Sequence, residues 1–308
     1  NGARAATRSL SPGAPDAAAW DRFAATISYL PGDSSAADDY TRLETFLREK
    51  EGGPANRLYY LAVAPSLYAP IVEHLGAAHL AVALAEGGDS TLLVDVDPLG
   101  AVGFSLAQSD TEWKGLAEYI IKQGAVEEVI MRTKLPGLSI LPRGRLDPLD
   151  VCIYEEYLHS SPSLGEILDA VKDDYRYIII DTPSGLGMVT RAALSISNFV
   201  LIPLQAEPLA LRAISQTLRV LQHVKENENP GLELIGILAT MVQLNKDVSF
   251  NIMNTVWASL SRVLDTYIPR ADVFGIASEK GLPIGFLPGK YPPEAIRFEL
   301  LATEIKGI

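Results

Sequence analysis

Two short apolar runs, each ending in carboxylates, confine this chain to a small group of folds. One reads Tyr177-Ile178-Ile179-Ile180-Asp181-Thr182-Pro183, the other Thr91-Leu92-Leu93-Val94-Asp95-Val96-Asp97-Pro98-Leu99-Gly100. Continuous apolar runs of this length are the mark of a parallel strand covered on both faces. In an open α/β sheet, ligands bind where the carboxyl ends of such strands meet the following loops. Acidic groups there suit Mg²⁺, which takes one or two carboxylates and completes its shell with water and phosphate oxygens. Asp is also a frequent helix cap, so the competing reading is two buried strands with acidic caps.

The rest of the chain repeats the alternation of strand and helix. Apolar runs at 92–95, 138–141, 177–181, 199–203 and 234–240 are separated by stretches of helical period, the βαβ pattern of a parallel sheet. In 208–225, Ile214, Leu218, Leu221 and Val224 form one apolar stripe, and a helix is predicted over 249–267 from Phe250, Met253, Trp257, Leu260 and Leu264. The expected fold class is α/β: a doubly wound, mostly parallel sheet. Upstream, the sequence predicts a lead-in over 1–19, a strand at Thr26–Leu30, a helix at Asp38–Lys50, a strand at Arg57–Val63 and a helix from Ser66 to Glu86 that stops at Gly87-Gly88. A last helix is expected from Pro293 to Lys306.

Composition removes several function classes. The chain has 308 residues and a formal net charge of −12, which argues against a strongly basic nucleic-acid binder. A single cysteine, Cys152, excludes an internal disulfide framework and a cysteine zinc site. His74, His79, His159 and His223 show no ligand spacing and read as ordinary helix or loop residues. No apolar run reaches the about 18 residues of a membrane span, and residues 1–19 lack the apolar core of a secretory signal. A cytoplasmic protein with no membrane partner is expected.

Two families show through. Phe23, Ile27, Tyr29 and Pro31-Gly32-Asp33, then Asp39-Tyr40 and Leu43, then Asn56 to Ala62 with Pro65-Ser66-Leu67, and Ile71-Val72 with His74-Leu75-Gly76, resemble the coenzyme domain of glucose-6-phosphate dehydrogenase over about residues 20–78. The likeness is a fragment. That family's Gly-rich dinucleotide turn, its Glu-Lys-Pro-Phe-Gly segment and its substrate-binding His-Tyr motif do not occur here.

From about residue 77, His79 to Gly88, Leu92 to Gly100 and Tyr175 to Gly187 resemble the ParA/MinD-type partitioning ATPases. The likeness continues through Val200 to Gln205, Gly236 to Met241, Ile268-Pro269 and Gly281-Leu282-Pro283-Ile284. The expected organisation is therefore a dehydrogenase-like fragment, 1–78, followed by a ParA-like nucleotide-binding domain, 79–308, whose first βα unit comes from the foreign segment.

The resemblance implies ATP and Mg²⁺ as cofactors, a homodimer, a partition-complex partner protein and contact with non-specific DNA. It implies that Asp181 holds the Mg²⁺ shell, that Asp97 orients or activates the attacking water with Asp95 beside it, and that Gly100, Thr182 and Pro183 belong to the switch segments around the nucleotide. Leu99 and Ala101 stand where the family has Gln and Asn, and Ser184-Gly185 replaces a Pro-Ser. Its phosphate loop, Lys-Gly-Gly-x-Gly-Lys-Thr, aligns with Tyr68 to Leu75, which has neither glycine nor lysine and carries Glu73. Impaired ATP binding is the consequence. A non-catalytic dimerisation or scaffold module and a dehydrogenase fragment with a foreign tail are the alternatives. Arg262, Arg270 and Lys280 are candidates for a basic DNA-facing patch, with solvated surface charge as the plainer reading.

Overall fold

A computed structural model of the chain describes residues 70–100, 102, 113–122, 126–160 and 163–308. The chain divides into compact units at 1–62 and 63–308, and all described residues lie in the second. The strand expected at Arg57–Val63, and everything before it, lies outside the described residues.

Helix α1, Pro70–Glu86, leads into β1, Thr91–Asp95. Short helices α2, Leu116–Lys122, and α3, Val126–Val129, precede β2, Met131–Arg132, and β3, Leu138–Leu141. Helices α4, Val151–Ser160, and α5, Ser163–Val171, then carry the chain to β4, Tyr177–Asp181. β1 pairs in parallel with both β3 and β4, giving the order β2-β3-β1-β4. Alternate residues of β1 point to opposite faces, and each face is covered. Leu92 and Val94 join a core with Leu116, Tyr154, Leu158 and Ile167, whereas Leu93 packs with Ala78, Ala81, Val82 and Ala85 of α1. This double covering is why the run is apolar at every position, and it defines the doubly wound α/β class.

The second half repeats the device. α6, Met188–Ile196, leads to β5, Phe199–Gln205; α7, Pro208–Asn227, to β6, Glu233–Val242; α8, Asp247–Ser259, to β7, Val263–Pro269. These three strands form a parallel sheet in the order β5-β6-β7. In α7, Ile214 and Val224 are buried and Leu218 and Leu221 pack beside Ile214, as the stripe predicts. Helices α9, Val273–Lys280, and α10, Ala295–Gly307, close the molecule.

One sequence expectation fails here. The helix predicted over 249–267 ends at Ser259, and Val263–Pro269 is a strand. Leu260 and Leu264 are four residues apart and mimic helical spacing, but Leu264, Thr266 and Ile268 are buried in alternation, the period of a strand. Within α8, Ile252, Met253 and Val256 face the core, whereas Phe250 and Trp257 are exposed.

β4 also departs from expectation: Tyr177 to Ile180 are only half buried. Among the described residues, β4 pairs with β1 alone and β5 with β6 alone. The two sheets nevertheless share one core. Leu80 and Leu84 of α1 cluster with Leu238, Leu264, Ile268, Phe298 and Leu301, and Ile179 of β4 and Leu201 of β5 pack against the same group.

His79 of α1 shows how that core is locked. Its ring stacks on Phe298 at 4.8 Å and meets Phe274 edge-on at 6.0 Å. Its Nε2 accepts the Ile284 backbone N–H at 2.9 Å. A buried imidazole thus satisfies a buried N–H, the structural role expected of a histidine with no ligand spacing.

Candidate functional site

The register brings the predicted carboxylates to one edge. Asp95, the last residue of β1, is the direct partner of Asp181, the last residue of β4. The ladder extends one step further, the Val96 N–H donating to the Asp181 carbonyl at 3.1 Å. Asp95, Asp97 and Asp181 are all buried. Their adjacency follows from equal strand lengths: each apolar run is closed by an Asp, and parallel pairing in register puts the two closures side by side.

Beyond β1 the chain folds into a tight turn. The Asp97 N–H donates to Asp95 Oδ1 at 3.1 Å, the Leu99 N–H to Asp97 Oδ1 at 2.8 Å and the Gly100 N–H to the Asp97 carbonyl at 2.8 Å. Gly100 closes the turn with φ of 66°, a left-handed conformation that favours glycine. The capping geometry of the competing reading is therefore present at Asp97, while the buried Asp95 and Asp181 stand at adjacent strand ends. Beneath the turn, the fully buried Tyr154 of α4 donates its hydroxyl to the Val96 carbonyl at 3.3 Å. Burial pushes the Tyr154 phenol well above its ordinary range, Asp95 adds to the shift and Arg143 opposes it.

On the β4 side, Thr182 and Pro183 leave the strand into a loop that runs to α6. The Thr190 hydroxyl donates to the Gly185 carbonyl at 3.0 Å and to the Pro183 carbonyl at 3.4 Å, pinning the loop to the first turn of α6. Leu99, Leu186 and Met188 are exposed around this end. Among the described residues, no three His, Cys, Asp or Glu side chains converge to enclose a metal ion by themselves. Mg²⁺ takes as few as one or two carboxylates, with waters and phosphate oxygens, and Asp95 and Asp181 stand at adjacent strand ends.

The other sequence candidates fare differently. The part of the phosphate-loop segment within the described residues, 70–75, forms the first turns of α1 and not an open loop. Ala101 lies outside the described residues. Arg262 and Arg270 flank the two ends of β7, roughly 25 Å apart at the rise of a strand. Arg262 donates to the Leu234 carbonyl at 2.5 Å, and Arg270 lies 4.0 Å from Glu207. These two arginines do not form one patch. Sequence reasoning missed Arg143, whose guanidinium lies against Gly100. The signal available was its place just after the apolar run 138–141, at the ligand end of a strand.

Comparison with known proteins assigns the family. A family model described as an AAA domain matches residues 76–234. The sporulation initiation inhibitor Soj of Bacillus subtilis is 31% identical over 210 residues, covering 67% of this chain and 82% of Soj. The chain belongs to the ParA/Soj family of partitioning ATPases. The chromosome partitioning protein ParA of Caulobacter vibrioides is 29% identical over 235 residues, 75% of this chain and 87% of that protein. Among solved structures, cobyrinic acid a,c-diamide synthase of Mycobacterium smegmatis with bound ADP and magnesium matches at 28% identity and a TM-score of 0.61, covering 76% of this chain and 88% of that one. The N-terminal stretch carries the second resemblance: a model for the NAD-binding domain of glucose-6-phosphate dehydrogenase matches residues 3–103. The two models overlap over 76–103, and the seam read at residue 78 falls within α1 of the ParA-type unit.

Proposed function

We propose that this chain is a ParA-type module of the plasmid or chromosome partitioning, or cargo-positioning, class, with a Mg²⁺–nucleotide site at the carboxyl ends of β1 and β4 that binds ATP weakly and hydrolyses it no faster than background. The observation that carries the first half is the register of Asp95 against Asp181, with Asp97 in the turn that follows. Mg²⁺ there would neutralise phosphate charge: Asp181 would hold its shell, Asp97 would orient or activate the attacking water, and Asp95, which accepts the Asp97 N–H, would hold the Asp97 backbone. Gly100, Thr182 and Pro183 shape the two loops that flank the nucleotide. Solved relatives with bound ADP and magnesium support the cofactor class.

The second half rests on what lies at the phosphate end. A phosphate cradle needs inward-turned backbone N–H groups and a cation. Residues 68–75 contain no glycine and no lysine. Pro70 has no N–H, and from Pro70 onward the backbone is helical. Glu73 adds a negative charge where the family has a lysine; at an effective dielectric near 20, unit charges about 4 Å apart interact by about 4 kcal/mol. Members of this class work as nucleotide-dependent dimers with a partner protein. A homodimer in the cytoplasm, a partition-complex partner and non-specific DNA complete the proposal. Among the described residues, no helix is long and apolar enough to cross a membrane.

Titrating Mn²⁺ or Mg²⁺ together with nucleotide into the full chain and into Asp181→Ala tests the site. Loss of the metal-dependent component in Asp181→Ala supports it, whereas equal binding by both chains reduces the carboxylates to turn and helix caps. Glucose 6-phosphate oxidation with NADP⁺ is expected to stay at background.

A further inference from the structure

The turn that carries Asp97 has one neighbour that the family resemblance does not assign. Arg143 stands two residues past the end of β3, and its backbone is fixed from several directions. The Leu116 and Ala117 N–H groups at the start of α2 donate to the Pro142 and Arg143 carbonyls at 2.8 and 2.7 Å. The Glu118 carboxylate, itself buried, accepts from the Gly115 N–H at 2.9 Å and from the Arg145 N–H at 3.1 Å. The loop 142–145 is thus clamped onto the amino end of α2, and the guanidinium starts from a rigid base.

That guanidinium lies against the glycine that closes the turn. A Cβ at Gly100 would stand 2.6 Å from Arg143 Nε and 2.7 Å from Nη2, closer than carbon and nitrogen tolerate. Arg143 Nη1 donates to the Leu146 carbonyl at 3.4 Å, a long bond. Among the described residues, the buried Nε has no hydrogen-bond acceptor. Buried donors without acceptors are rare and costly, so one at the ligand end of a sheet calls for a reason. The same guanidinium acts electrostatically on the buried Tyr154 hydroxyl, in opposition to Asp95 and Asp97.

We propose that Arg143 is a positioning residue of this site: its guanidinium buttresses the Asp97–Gly100 turn and so sets where the Asp97 carboxylate stands for the magnesium–nucleotide complex. The proposal rests on the nucleotide reading above for its consequence, but not for its geometry. A planar, rigid, always-charged group does this; the compact ammonium of lysine fills the space less well.

The test uses the full chain with Arg143→Met, which keeps bulk and removes charge and donors, and Arg143→Lys. Without nucleotide, the Gly100 amide is expected to exchange its hydrogen at least tenfold faster in Arg143→Met, with Leu93 and Val94 in β1 unchanged and Arg143→Lys in between. In a titration with Mg²⁺–ATP followed through the same amides, Arg143→Met should bind at least tenfold more weakly and Arg143→Lys partway. Unchanged exchange at Gly100, or equal acceleration at Gly100 and Leu93, overturns the positioning role. Wild-type affinity in Arg143→Met overturns its consequence for binding. An unmodified chain that binds no magnesium nucleotide overturns the nucleotide reading and this consequence with it; the exchange measurement then decides the Arg143 contact by itself.

Discussion

Asp95, Asp97 and Asp181 earn their place by register, but Gly100 makes the turn between them passable. A side chain there meets both a left-handed backbone and the Arg143 guanidinium. Gly100→Ala is expected to cost about 1–2 kcal/mol from the backbone conformation alone, read as a lower urea midpoint. Asp89 governs a different property. Its carboxylate is 10% exposed and bridges Lys306 at 2.5 Å and Arg176 at 3.1 Å. The hydrogen bond from Lys306, opposed in part by desolvation and aided by both cations' charge, holds its pKa below the ordinary carboxylate value. A carboxyl depressed in the folded state contributes stability that is present above its unfolded pKa, about 3.9, and is lost as pH falls through the folded value. Asp89→Asn should therefore lower the melting temperature at pH 6 and flatten its fall as pH drops below about 4. An unchanged acid limb in the variant would remove Asp89 from the account. At this scale the sequence was informative where residue type and strand end coincided, as at Asp95 and Asp181. For Arg143 it offered only a place after the run 138–141, because an arginine in a Pro-Arg-Gly-Arg loop carries no periodic signal and its contact with Gly100 exists only after β1 and β3 pair.

Among the elements, α1 does the most to unite the molecule. Leu84, fully buried, packs toward β7, α9 and α10, and His79 stacks on Phe298. Leu84→Ala should cost about 2–5 kcal/mol, according to how far the site collapses, measured by denaturant unfolding; a loss under about 1 kcal/mol would mean that this core is loosely packed. The strands were legible because apolar runs covered on both faces leave no polar positions. β7 was not, because Leu260 and Leu264 carry helical spacing across a helix end and a strand start.

For the whole molecule, a ParA-type fold is joined to a stretch, 68–75, that contains no glycine and no lysine, and weak nucleotide binding is proposed from that. Fold and family were legible along 77–305 because the order of strand, helix and switch segments was intact. The proposed weakness of the phosphate end rests on the missing glycine and lysine of 68–75. The decisive measurement is calorimetry with ATP and Mg²⁺ on the full chain, on Asp181→Ala, and on a version in which residues 68–75 are replaced by a glycine-rich, lysine-containing phosphate loop. The expected result is affinity no tighter than roughly 0.1 mM for the unmodified chain, loss of its magnesium-dependent part in Asp181→Ala, and a gain of at least tenfold in the loop replacement. Micromolar binding by the unmodified chain, indifferent to Asp181→Ala, would contradict the account and move the phosphate site elsewhere.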